Sequence, residues 1–291
     1  MYSASGDKLA ACIVYDTVPR REAVKELESE HSMVPEGLMR HAILSMSFSP
    51  EAFICIRHEF ARSLSALSIT SYVLGIGDRH MDNFLLNSAN GKVVGIDFGH
   101  AFGTATQFLY IPELMPFRLT RQLVGVLSPH GYDGILKHDM IETLQALEDN
   151  KDLLLDVLAI FVKEPLIAWD NYLQKIKRSV LAELNVRDVD IKQWYVKEKL
   201  ALVEKKLNMG NPAYITAREL KHSTVGVMGS FQKYGLVDKI VQVAKGDKKY
   251  NLRANVGEYC ESVTEQVNCL IDQATDPHIL SKTFIGWAPY L

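Results

Sequence analysis

Residues 75–103, with the sequence GIGDRHMDNFLLNSANGKVVGIDFGHAFG, decide the fold of this 291-residue chain. Two apolar runs, Phe84–Asn87 and Val93–Ile96, flank Asn90-Gly91, the pair that two-residue hairpin turns prefer. The stretch therefore predicts a β-hairpin. Gly-Asp-Arg-His precedes this hairpin, and Asp-Phe-Gly follows it.

The predicted turn also sets the register of the hairpin. If Asn90 and Gly91 are the two loop residues, residue 84 lies opposite residue 97. Asn83 and Asp97 are then diagonal neighbours at the open end of the hairpin, about 5 to 8 Å apart. We expect that one divalent cation bridges these two side chains.

The polar residues around the hairpin suit phosphoryl transfer to a hydroxyl group. This reaction needs a residue that orients and deprotonates the acceptor, together with oxygen ligands for Mg²⁺ on the phosphates. Asp78 and His80 are the candidates for the base. Asn83 and Asp97 are the candidate ligands, because Mg²⁺ prefers hard oxygen donors. Each short motif alone is weak, and a buried polar network without a catalytic role is the alternative, but their order across one hairpin favours catalysis.

The rest of the sequence has mainly helical periodicity. Ser49-Pro50-Glu51 combines an N-cap hydroxyl, a proline at the first helical position and an early acid, so it predicts the start of a helix. Apolar residues follow at a spacing that indicates packing on more than one side: Phe53, Ile54, Ile56, Phe60, Ala61 and Leu64. Further helices are predicted at about 152–163, 190–207, 216–221 and 232–245. One hairpin among helices predicts an α+β, mainly helical fold.

Composition narrows the classes of protein to which the chain can belong. A hydrophobic content of 47% is ample for a large core, and a formal net charge of -3 gives no general attraction to nucleic acid or to an anionic membrane. The four cysteines lack the spacing of zinc sites or of a disulfide framework, and no run of about 18 apolar residues occurs. We therefore expect a folded protein of a reducing compartment, without a membrane span. The charge run Glu204-Lys205-Lys206 predicts a solvated helix face.

The C-terminal segment 259–291 has the pattern of a separate unit. Residues 262–272 are amphipathic, with an apolar stripe made of Val263, Val267, Leu270 and Ile271. Asp276-Pro277 ends this predicted helix before the aromatic residues Phe284, Trp287 and Tyr290. We expect so apolar a terminus to dock against the rest of the chain.

The order D-R-H-x-x-N followed by D-F-G resembles the phosphatidylinositol 3-kinase superfamily, since ordinary eukaryotic protein kinases have H-R-D with a downstream Asn. Within the superfamily, the resemblance is to the phosphatidylinositol 3-kinase-related protein kinases. It rests on residues 75–80 and 95–103, on PELMPFRLTRQ at 112–122, and on DQATDP at 272–277 with Gly286-Trp287. It covers most of the chain and is weakest over the first 35 residues.

The resemblance implies a division of the chain. Residues 1–258 would form a kinase C-lobe of the PI3/PI4-kinase type, and residues 259–291 a FATC segment that packs on this lobe and supports the activation loop. Only 77 residues precede Asp78, and Lys8 and Lys25, their only lysines, lie in no strand that resembles a phosphate-binding V-A-I-K segment. We therefore expect an absent or incomplete N-lobe and little or no activity from these residues alone.

The resemblance also implies roles for the catalytic-loop residues. Asp78 resembles the catalytic aspartate, and His80 the histidine that assists transfer or stabilises the developing charge. Asn83 and Asp97 resemble the metal ligands. For Arg79, between the two catalytic candidates, a structural ion pair and a contact with phosphate are both open.

Residues around the hairpin and after it have implied roles as well. Leu85 and Ile96 would line the floor of the adenine pocket. The activation loop would begin at Asp97-Phe98-Gly99, and Arg118 and Arg121 stand at its end. For these two arginines, a structural salt bridge and a contact with substrate are both open.

The cofactors and partners implied by the resemblance are those of a nuclear protein kinase. ATP with Mg²⁺ or Mn²⁺ would supply the phosphate, and Ser or Thr of proteins, commonly before Gln, would accept it. The branch of the family that the chain resembles acts in the repair of DNA double-strand breaks by non-homologous end joining. It would reach DNA ends through the Ku heterodimer, by regions absent from this chain.

Two other functions remain open. A lipid kinase has the same two motifs, but lipid kinases tend to place basic residues in the activation segment for headgroup phosphates, and residues 100–117 contain no Lys or Arg. The other is a non-catalytic interaction module that keeps the C-lobe as a scaffold. Mg²⁺-dependent nucleotide binding would favour an enzyme over such a module.

Overall fold

A computed structural model of the protein describes residues 20–109, 111–162, 167–221, 258–281 and 283–291. Its helices are, in chain order, α1 (Arg20–Met33), α2 (Leu38–Ser45), α3 (Pro50–Leu74), α4 (Thr104–Phe108), α5 (Arg121–Val126), α6 (Ile135–Asp149), α7 (Lys151–Val162), α8 (Ile167–Leu184), α9 (Ile191–Lys206), α10 (Pro212–Lys221), α11 (Val263–Thr275) and α12 (Pro277–Leu280). Short 3₁₀ helices span Met81–Asn83, Gly131–Asp133 and Ile285–Trp287. The strands β1 (Phe84–Leu86) and β2 (Val93–Gly95) form an antiparallel pair. The predicted α+β, mainly helical class is confirmed.

The long helix α3 begins where the sequence predicts. Ser49 Oγ accepts a hydrogen bond from the backbone N–H of Ala52 at 3.2 Å, and Pro50 occupies the first helical position. Five of the six apolar residues that indicated packing are buried: Phe53, Ile56, Phe60, Ala61 and Leu64. The prediction was wrong for Ile54, which is 51% exposed on the solvent side of the helix.

The centre of the hydrophobic core lies between α3 and α6, which pack along each other. Completely buried side chains from both helices form this interface: Phe60, Leu64, Leu136, Met140 and Leu144. Each such side chain contributes about 1.5 to 3 kcal/mol relative to an exposed one. Ser65 Oγ crosses the interface and donates to the carbonyl oxygen of Leu136 at 2.9 Å. This pair of helices supports the hairpin, because α3 also packs against β2.

Most of the other predicted helices are confirmed. The prediction at 152–163 corresponds to α7, and the prediction at 190–207 corresponds to α9. The helix predicted at 216–221 begins earlier, at Pro212, a residue favoured in the first helical turn. The prediction at 232–245 lies outside the described residues. Within the described ranges, no helix combines the length and the apolarity needed to cross a bilayer.

The hairpin is confirmed, but its predicted turn and register were wrong. The pairs are Phe84 with Gly95, Leu85 with Val94, and Leu86 with Val93. The backbone N–H of Asn87 donates to the carbonyl oxygen of Lys92 at 2.9 Å, and the N–H of Gly91 donates to the carbonyl oxygen of Asn87 at 2.7 Å. These two hydrogen bonds close a loop over residues 88–91. A two-residue type I′ turn needs positive φ at both central residues, and here Gly91 has it, at 77°, while Asn90 does not.

The C-terminal segment docks against the rest of the chain through α11. Ser262 Oγ accepts from the N–H of Glu265 at 3.2 Å, and the Glu265 carboxylate accepts from the N–H of Glu261 at 2.6 Å, an arrangement close to a capping box. The whole predicted apolar stripe is buried: Val263, Val267, Leu270 and Ile271. In the aromatic tail, Trp287 is buried as expected, whereas Phe284 is 47% exposed. The helix packs against α6 and α10.

Candidate active site

The catalytic loop, residues 75–83, connects the end of α3 to β1. Gly75 ends α3 in the left-handed conformation, with a φ of 61°. The backbone N–H groups of Phe102 and Gly103 donate to the carbonyl oxygens of Leu74 and Gly75 at 2.7 and 2.8 Å. A Cβ on Gly75 would lie 2.5 Å from the Gly103 nitrogen, so this close approach needs a glycine. The loop is thereby fastened to the start of the activation segment, residues 97–121.

The two base candidates both lie on this loop and are half-buried. Asp78 is held in the left-handed region at a φ of 58°, which is uncommon for a residue with a side chain. Its carbonyl oxygen accepts from Asn83 Nδ2 at 2.7 Å, and its N–H donates to Glu113 Oε2 at 2.5 Å. The carbonyl oxygen of His80 accepts from the N–H of Asn83 at 3.0 Å and begins the 3₁₀ helix. The backbone of the loop is therefore fixed on both sides of Asp78.

Arg79 is buried beneath the loop, with 1% of its surface exposed. Its Nε donates to the carbonyl oxygen of Gly77 at 3.0 Å, and its Nη1 donates to that of Ile96 at 2.7 Å. Further hydrogen bonds reach the carbonyl oxygens of Asn83 and Asp97. Burial lowers the pKa of Arg79, although nearby acidic groups raise it in part. The guanidinium thus joins the catalytic loop to the strand before Asp97 through backbone carbonyls, in place of the ion pair or phosphate contact considered from the sequence.

The two predicted metal ligands stand at the open end of the hairpin, in a register that differs from the predicted one. The N–H of Ile96 donates to the carbonyl oxygen of Asn83 at 3.1 Å, so Asn83 lies opposite Ile96 and beside Asp97. Asn83 is buried, whereas Asp97 is exposed and has a φ of 56°. Asp97 Oδ1 accepts from the N–H of Gly99 at 3.2 Å.

The donor atoms of this pair fit a hard divalent cation. The amide nitrogen of Asn83 donates to the carbonyl oxygen of Asp78, so the amide oxygen is the atom of this side chain that would bind a cation. Together with the exposed carboxylate of Asp97, it offers two oxygen donors, which suits Mg²⁺, an ion that takes few protein ligands and completes its shell with phosphates and water. Mn²⁺ accepts the same donors. Across the part of the chain that the structure describes, no cluster of three or more His, Cys, Asp and Glu residues is suited to hold a metal ion.

One face of the hairpin presents apolar side chains to solvent. This apolar hairpin face consists of the paired residues Leu85 and Val94, together with Ile96 two residues further on, which are 38% to 51% exposed. It includes Leu85 and Ile96, the two residues predicted for the adenine pocket. A contiguous exposed apolar patch beside polar catalytic candidates is typical of a ligand-binding surface.

Arg118, near the end of the activation segment, is buried and contacts the C-terminal segment. It donates to the carbonyl oxygens of Trp287 at 2.5 Å, Ala288 at 2.9 Å and Leu291 at 3.2 Å. Its guanidinium carbon also lies 4.3 Å from the centre of the Trp287 ring. Burial lowers its pKa to about 10, so it remains cationic at neutral pH. Arg118 therefore ties the two segments together through backbone oxygens and the nearby charge of Glu113, and it lacks the solvent access that a contact with substrate would need.

Arg121 has the structural salt bridge that was one of its two predicted roles. Its Nη2 lies 3.5 Å from Glu36 Oε2, and its Nη1 donates to the carbonyl oxygen of His31 at 3.3 Å. Both ionic side chains are about half exposed, so the pair contributes less than about 1 kcal/mol. It positions α5 against the region around α1 and α2.

Glu113 is a buried carboxylate in the middle of the activation segment. Besides Asp78, it contacts the C-terminal segment, because its Oε1 accepts from Trp287 Nε1 at 2.7 Å. Burial raises the pKa of Glu113, and the hydrogen bonds from the Asp78 backbone and from Trp287 oppose that rise. Three distant segments of the chain therefore meet at this carboxyl group.

Lys199 supports the start of the activation segment from below. Its Nζ donates to the carbonyl oxygen of Phe102 and to Gln107 Oε1, the latter at 2.8 Å, and 2% of the residue is exposed. Burial lowers its pKa to about 8, while the charge of Glu219 raises it and that of Lys206 lowers it further.

Lys206 lies beside a small cavity behind the catalytic loop. Its Nζ donates to the carbonyl oxygen of Tyr72 at 2.9 Å and lies 3.7 Å from Glu219 Oε1. The cavity has a volume of about 40 Å³, and its lining includes Lys206, Glu219, Glu113 and Gln273. Such a polar space has room for water molecules. The predicted solvated face was wrong for Lys206, which is 4% exposed because it serves these buried acceptors.

Glu113, Lys199 and Lys206 were not among the residues predicted from the sequence to belong to the site. The one local signal is that Glu113 is the single charged residue in the apolar run 108–117. An isolated carboxylate in such a run is either exposed or bound by specific donors. The lysines carry no comparable signal, because charged residues on helices usually face solvent.

The chain matches a known family over more than half its length. The sequence profile described as "Phosphatidylinositol 3- and 4-kinase" matches residues 8–171, and the profile "FATC domain" matches residues 260–291. The chain therefore belongs to the phosphatidylinositol 3- and 4-kinase family. The predicted division of the chain at residue 259 stays a prediction.

Individual relatives within this family are large protein kinases. The chain is 48% identical over 269 residues to the DNA-dependent protein kinase catalytic subunit of Dictyostelium discoideum, which covers 92% of this chain and 6% of that protein. It is 42% identical over 292 residues to the same subunit of Mus musculus, which covers 99% of this chain and 7% of that protein. With Serine/threonine-protein kinase tor1 of Schizosaccharomyces pombe, identity is 30% over 256 residues, covering 86% and 10%. The resemblance to phosphatidylinositol 3-kinase-related kinases is confirmed, although the chain spans no more than 10% of these curated relatives.

Solved structures share the fold. The "FAT and kinase domain of CtTel1" aligns with a TM-score of 0.54 and 22% identity, covering 98% of this chain and 16% of that one. The "Complete CtTel1 dimer with C2 symmetry" aligns with a TM-score of 0.55 and covers 98% and 8%. At this identity, the similarity concerns the fold alone.

Proposed function

We propose that the chain is the catalytic C-lobe and FATC segment of a Ser/Thr protein kinase that transfers the γ-phosphate of ATP. The observation that carries the proposal is the convergence of Asp78, Asn83 and Asp97 at the open end of one hairpin. The buried guanidinium of Arg79 holds the backbone of all three segments in place. Positioning of this kind accounts for most of the catalysis in phosphoryl transfer.

Each site residue has a role in this proposal. Asp78 accepts the proton of the substrate hydroxyl, and His80, on the same half-buried loop, stabilises the charge that develops during transfer. Asn83 and Asp97 would hold the metal ion through their oxygen atoms. Mg²⁺ or Mn²⁺, when bound with ATP, would neutralise negative charge on the phosphates. Arg79 acts as a positioning residue.

The apolar hairpin face would receive the adenine ring of ATP. Leu85 and Ile96 are exposed on it, beside the two metal ligands. Burial of about half a leucine side chain against a ring contributes roughly 1 kcal/mol. This contribution suits a surface that supports the base without fixing its identity.

The acceptor in this proposal is a protein rather than a lipid. Residues 100–117 of the activation segment carry no Lys or Arg that could bind the phosphates of a lipid headgroup. The two basic residues that follow are committed, Arg118 to the C-terminal segment and Arg121 to Glu36. The protein kinases among the relatives support the same choice.

The proposed biological role comes from the relatives named DNA-dependent protein kinase catalytic subunit. We propose phosphorylation of Ser or Thr before Gln during repair of DNA double-strand breaks by non-homologous end joining, in the nucleus. The Ku heterodimer and DNA ends would be engaged by regions outside this chain. The net charge of -3 agrees with a chain that does not itself bind DNA.

The proposal is tested on the whole native polypeptide, captured through its C-terminal segment. Transfer of radiolabelled phosphate from ATP to a Ser-Gln peptide is compared with transfer to phosphatidylinositol vesicles. We expect labelled peptide, abolished by Asp97→Ala and retained by Asp82→Ala, which removes an exposed carboxylate of the same loop. Labelled lipid would support the lipid-kinase alternative. If neither acceptor is labelled, with or without Mg²⁺, and no nucleotide binds, the result would support a non-catalytic module.

A further inference from the structure

We infer that Glu113 is a positioning residue that holds the catalytic loop at Asp78 and couples it to Trp287 of the C-terminal segment. The inference rests on the proposed function for its catalytic meaning. Its structural part, a hydrogen-bonded link between two distant segments, stands on the geometry of the described residues alone.

The link consists of one carboxylate with two donors on opposite sides. Oε2 accepts from the backbone N–H of Asp78 at 2.5 Å, and Oε1 accepts from the indole N–H of Trp287 at 2.7 Å. Glu113 is 8% exposed, so both hydrogen bonds are formed away from bulk water, where they are strong and costly to lose. Within the described ranges, no Lys, Arg or His side chain forms a salt bridge with it. Besides these two donors, the backbone of Arg79, the residue after Asp78, also donates to the carboxylate, and the charges of Arg79 and Arg118 act on it.

The bond to Asp78 acts on a strained point of the catalytic loop. Asp78 has a φ of 58°, a conformation that persists in a non-glycine residue only when the surroundings hold it. The inward-facing N–H, captured by Glu113, fixes the peptide plane before Asp78. The orientation of the Asp78 side chain toward a substrate then depends on Glu113.

Gly77 allows the carboxylate to approach this closely. A Cβ at position 77 would lie 2.5 Å from Glu113 Oε2 and 2.3 Å from Ala105 Cβ, distances at which atoms overlap. Position 77, before the proposed catalytic aspartate, therefore requires a glycine, because the Glu113 carboxylate occupies the space that a side chain would need.

The far end of the link is itself fixed. Arg118 stacks 4.3 Å from the centre of the Trp287 ring and donates to the carbonyl oxygens of Trp287 and Ala288. Its Nη1 also lies 3.4 Å from the carbonyl oxygen of Arg79, the residue after Asp78. The position of Trp287 is therefore transmitted to the catalytic loop along a route that is short and hydrogen-bonded throughout.

The test measures amide hydrogen exchange at Asp78, resolved to single residues, on the full chain. Glu113→Gln replaces one acceptor oxygen by an amide N–H₂ group. With the remaining oxygen bound to the indole N–H of Trp287, this group faces the N–H of Asp78, so we expect exchange at Asp78 to become at least tenfold faster. Trp287→Phe removes the indole donor and keeps an aromatic, though smaller, ring at this position, and it should accelerate exchange at Asp78 severalfold. Amides in the centre of α3 serve as the internal control and should not change.

The double variant Glu113→Gln/Trp287→Phe separates a specific link from general damage. Without the indole N–H, the glutamine can turn its oxygen to Asp78, so we expect slower exchange there than in Glu113→Gln alone. Faster exchange in the double variant than in either single one, or unchanged exchange at Asp78 in Trp287→Phe with α3 intact, would overturn the inference. If Glu113→Gln does not fold, Trp287→Phe alone decides.

The catalytic meaning of the link is tested separately in the native polypeptide. Trp287→Phe should lower kcat about fivefold or more and leave the KM for ATP unchanged, because the adenine and metal contacts remain. Accelerated exchange with an unchanged kcat would leave Glu113 as a structural residue and overturn its positioning role. If the wild-type protein is inactive but Trp287→Phe still accelerates exchange at Asp78, the result contradicts the proposed function and leaves the structural link in place.

Discussion

Arg79 Nη1 donates to the carbonyl oxygen of Ile96 at 2.7 Å, which fastens the residue after Asp78 to the residue before Asp97. The proposed base and a proposed metal ligand thus share one rigid support. The support is a side chain that never faces solvent. Its geometry matters more than its charge, because all its hydrogen-bond partners are backbone carbonyl oxygens.

The first prediction is that Arg79→Lys lowers turnover about 100-fold, the size of effect that a displacement of about 1 Å produces at a catalytic centre. A lysine offers one compact ammonium where the planar guanidinium serves several carbonyl groups. Peptide phosphorylation by the native polypeptide measures the effect. The matched control is Arg62→Lys on the exposed side of α3, where a 71% exposed arginine loses little. Equal turnover of the two variants would contradict the role of Arg79.

The features that could be predicted from the sequence were those encoded by neighbouring residues. Ser49-Pro50 and the apolar spacing after it located the start of α3, and the stripe at 263–271 located α11. The hairpin was visible as well, but its register was not. The Asn90-Gly91 pair suggested a two-residue turn, whereas Asn87 Oδ1 accepts from the N–H of Ala89 and favours a longer loop.

The features that could not be predicted depend on contacts between distant residues. Glu113 contacts Asp78, 35 residues away, and Trp287, 174 residues away. Lys199 reaches Phe102 across 97 residues. The spacing of apolar residues predicts which face of a helix is buried, but it does not predict which carbonyl group a buried lysine on that helix contacts. The sequence therefore indicated candidate reactive side chains, whereas the supporting contacts of Glu113 and Lys199 could be found only from the structure.

The second prediction is that Arg118→Lys lowers the free energy of unfolding by about 2 to 4 kcal/mol. The substitution removes buried charge-assisted hydrogen bonds and the stacking on Trp287. Urea unfolding followed by circular dichroism measures it. Arg121→Lys is the control, because its exposed pair with Glu36 contributes less than about 1 kcal/mol. A loss of similar size in both variants would contradict this assignment.

The third prediction concerns the pH dependence of stability. The pKa of Lys199 is lowered by burial from 10.5 to about 8, so between these values the unfolded chain binds one proton more than the folded chain. Stability should therefore rise with pH across this window by up to about 1.4 kcal/mol per pH unit, and the rise is absent below it. In Lys199→Met the contribution disappears.

The measurement for Lys199 is urea unfolding of both proteins between pH 7 and pH 10.5, taken as the difference between wild type and variant. Lys92→Met, which removes an exposed lysine of the hairpin, should keep the slope of the wild type. A wild-type curve parallel to that of Lys199→Met across the window would refute the assignment.

The last prediction is that Leu85→Ser weakens nucleotide binding by the native polypeptide about five- to tenfold without lowering its stability. Leu85 is 51% exposed, so the folded state gains little from it, whereas an adenine ring lying on the apolar hairpin face would bury it. Mg²⁺-dependent binding of a fluorescent ATP analogue gives the Kd. Phe48→Ser removes a fully exposed apolar side chain away from the hairpin and should leave the Kd unchanged. The same Kd for wild type and Leu85→Ser would mean that the base binds elsewhere.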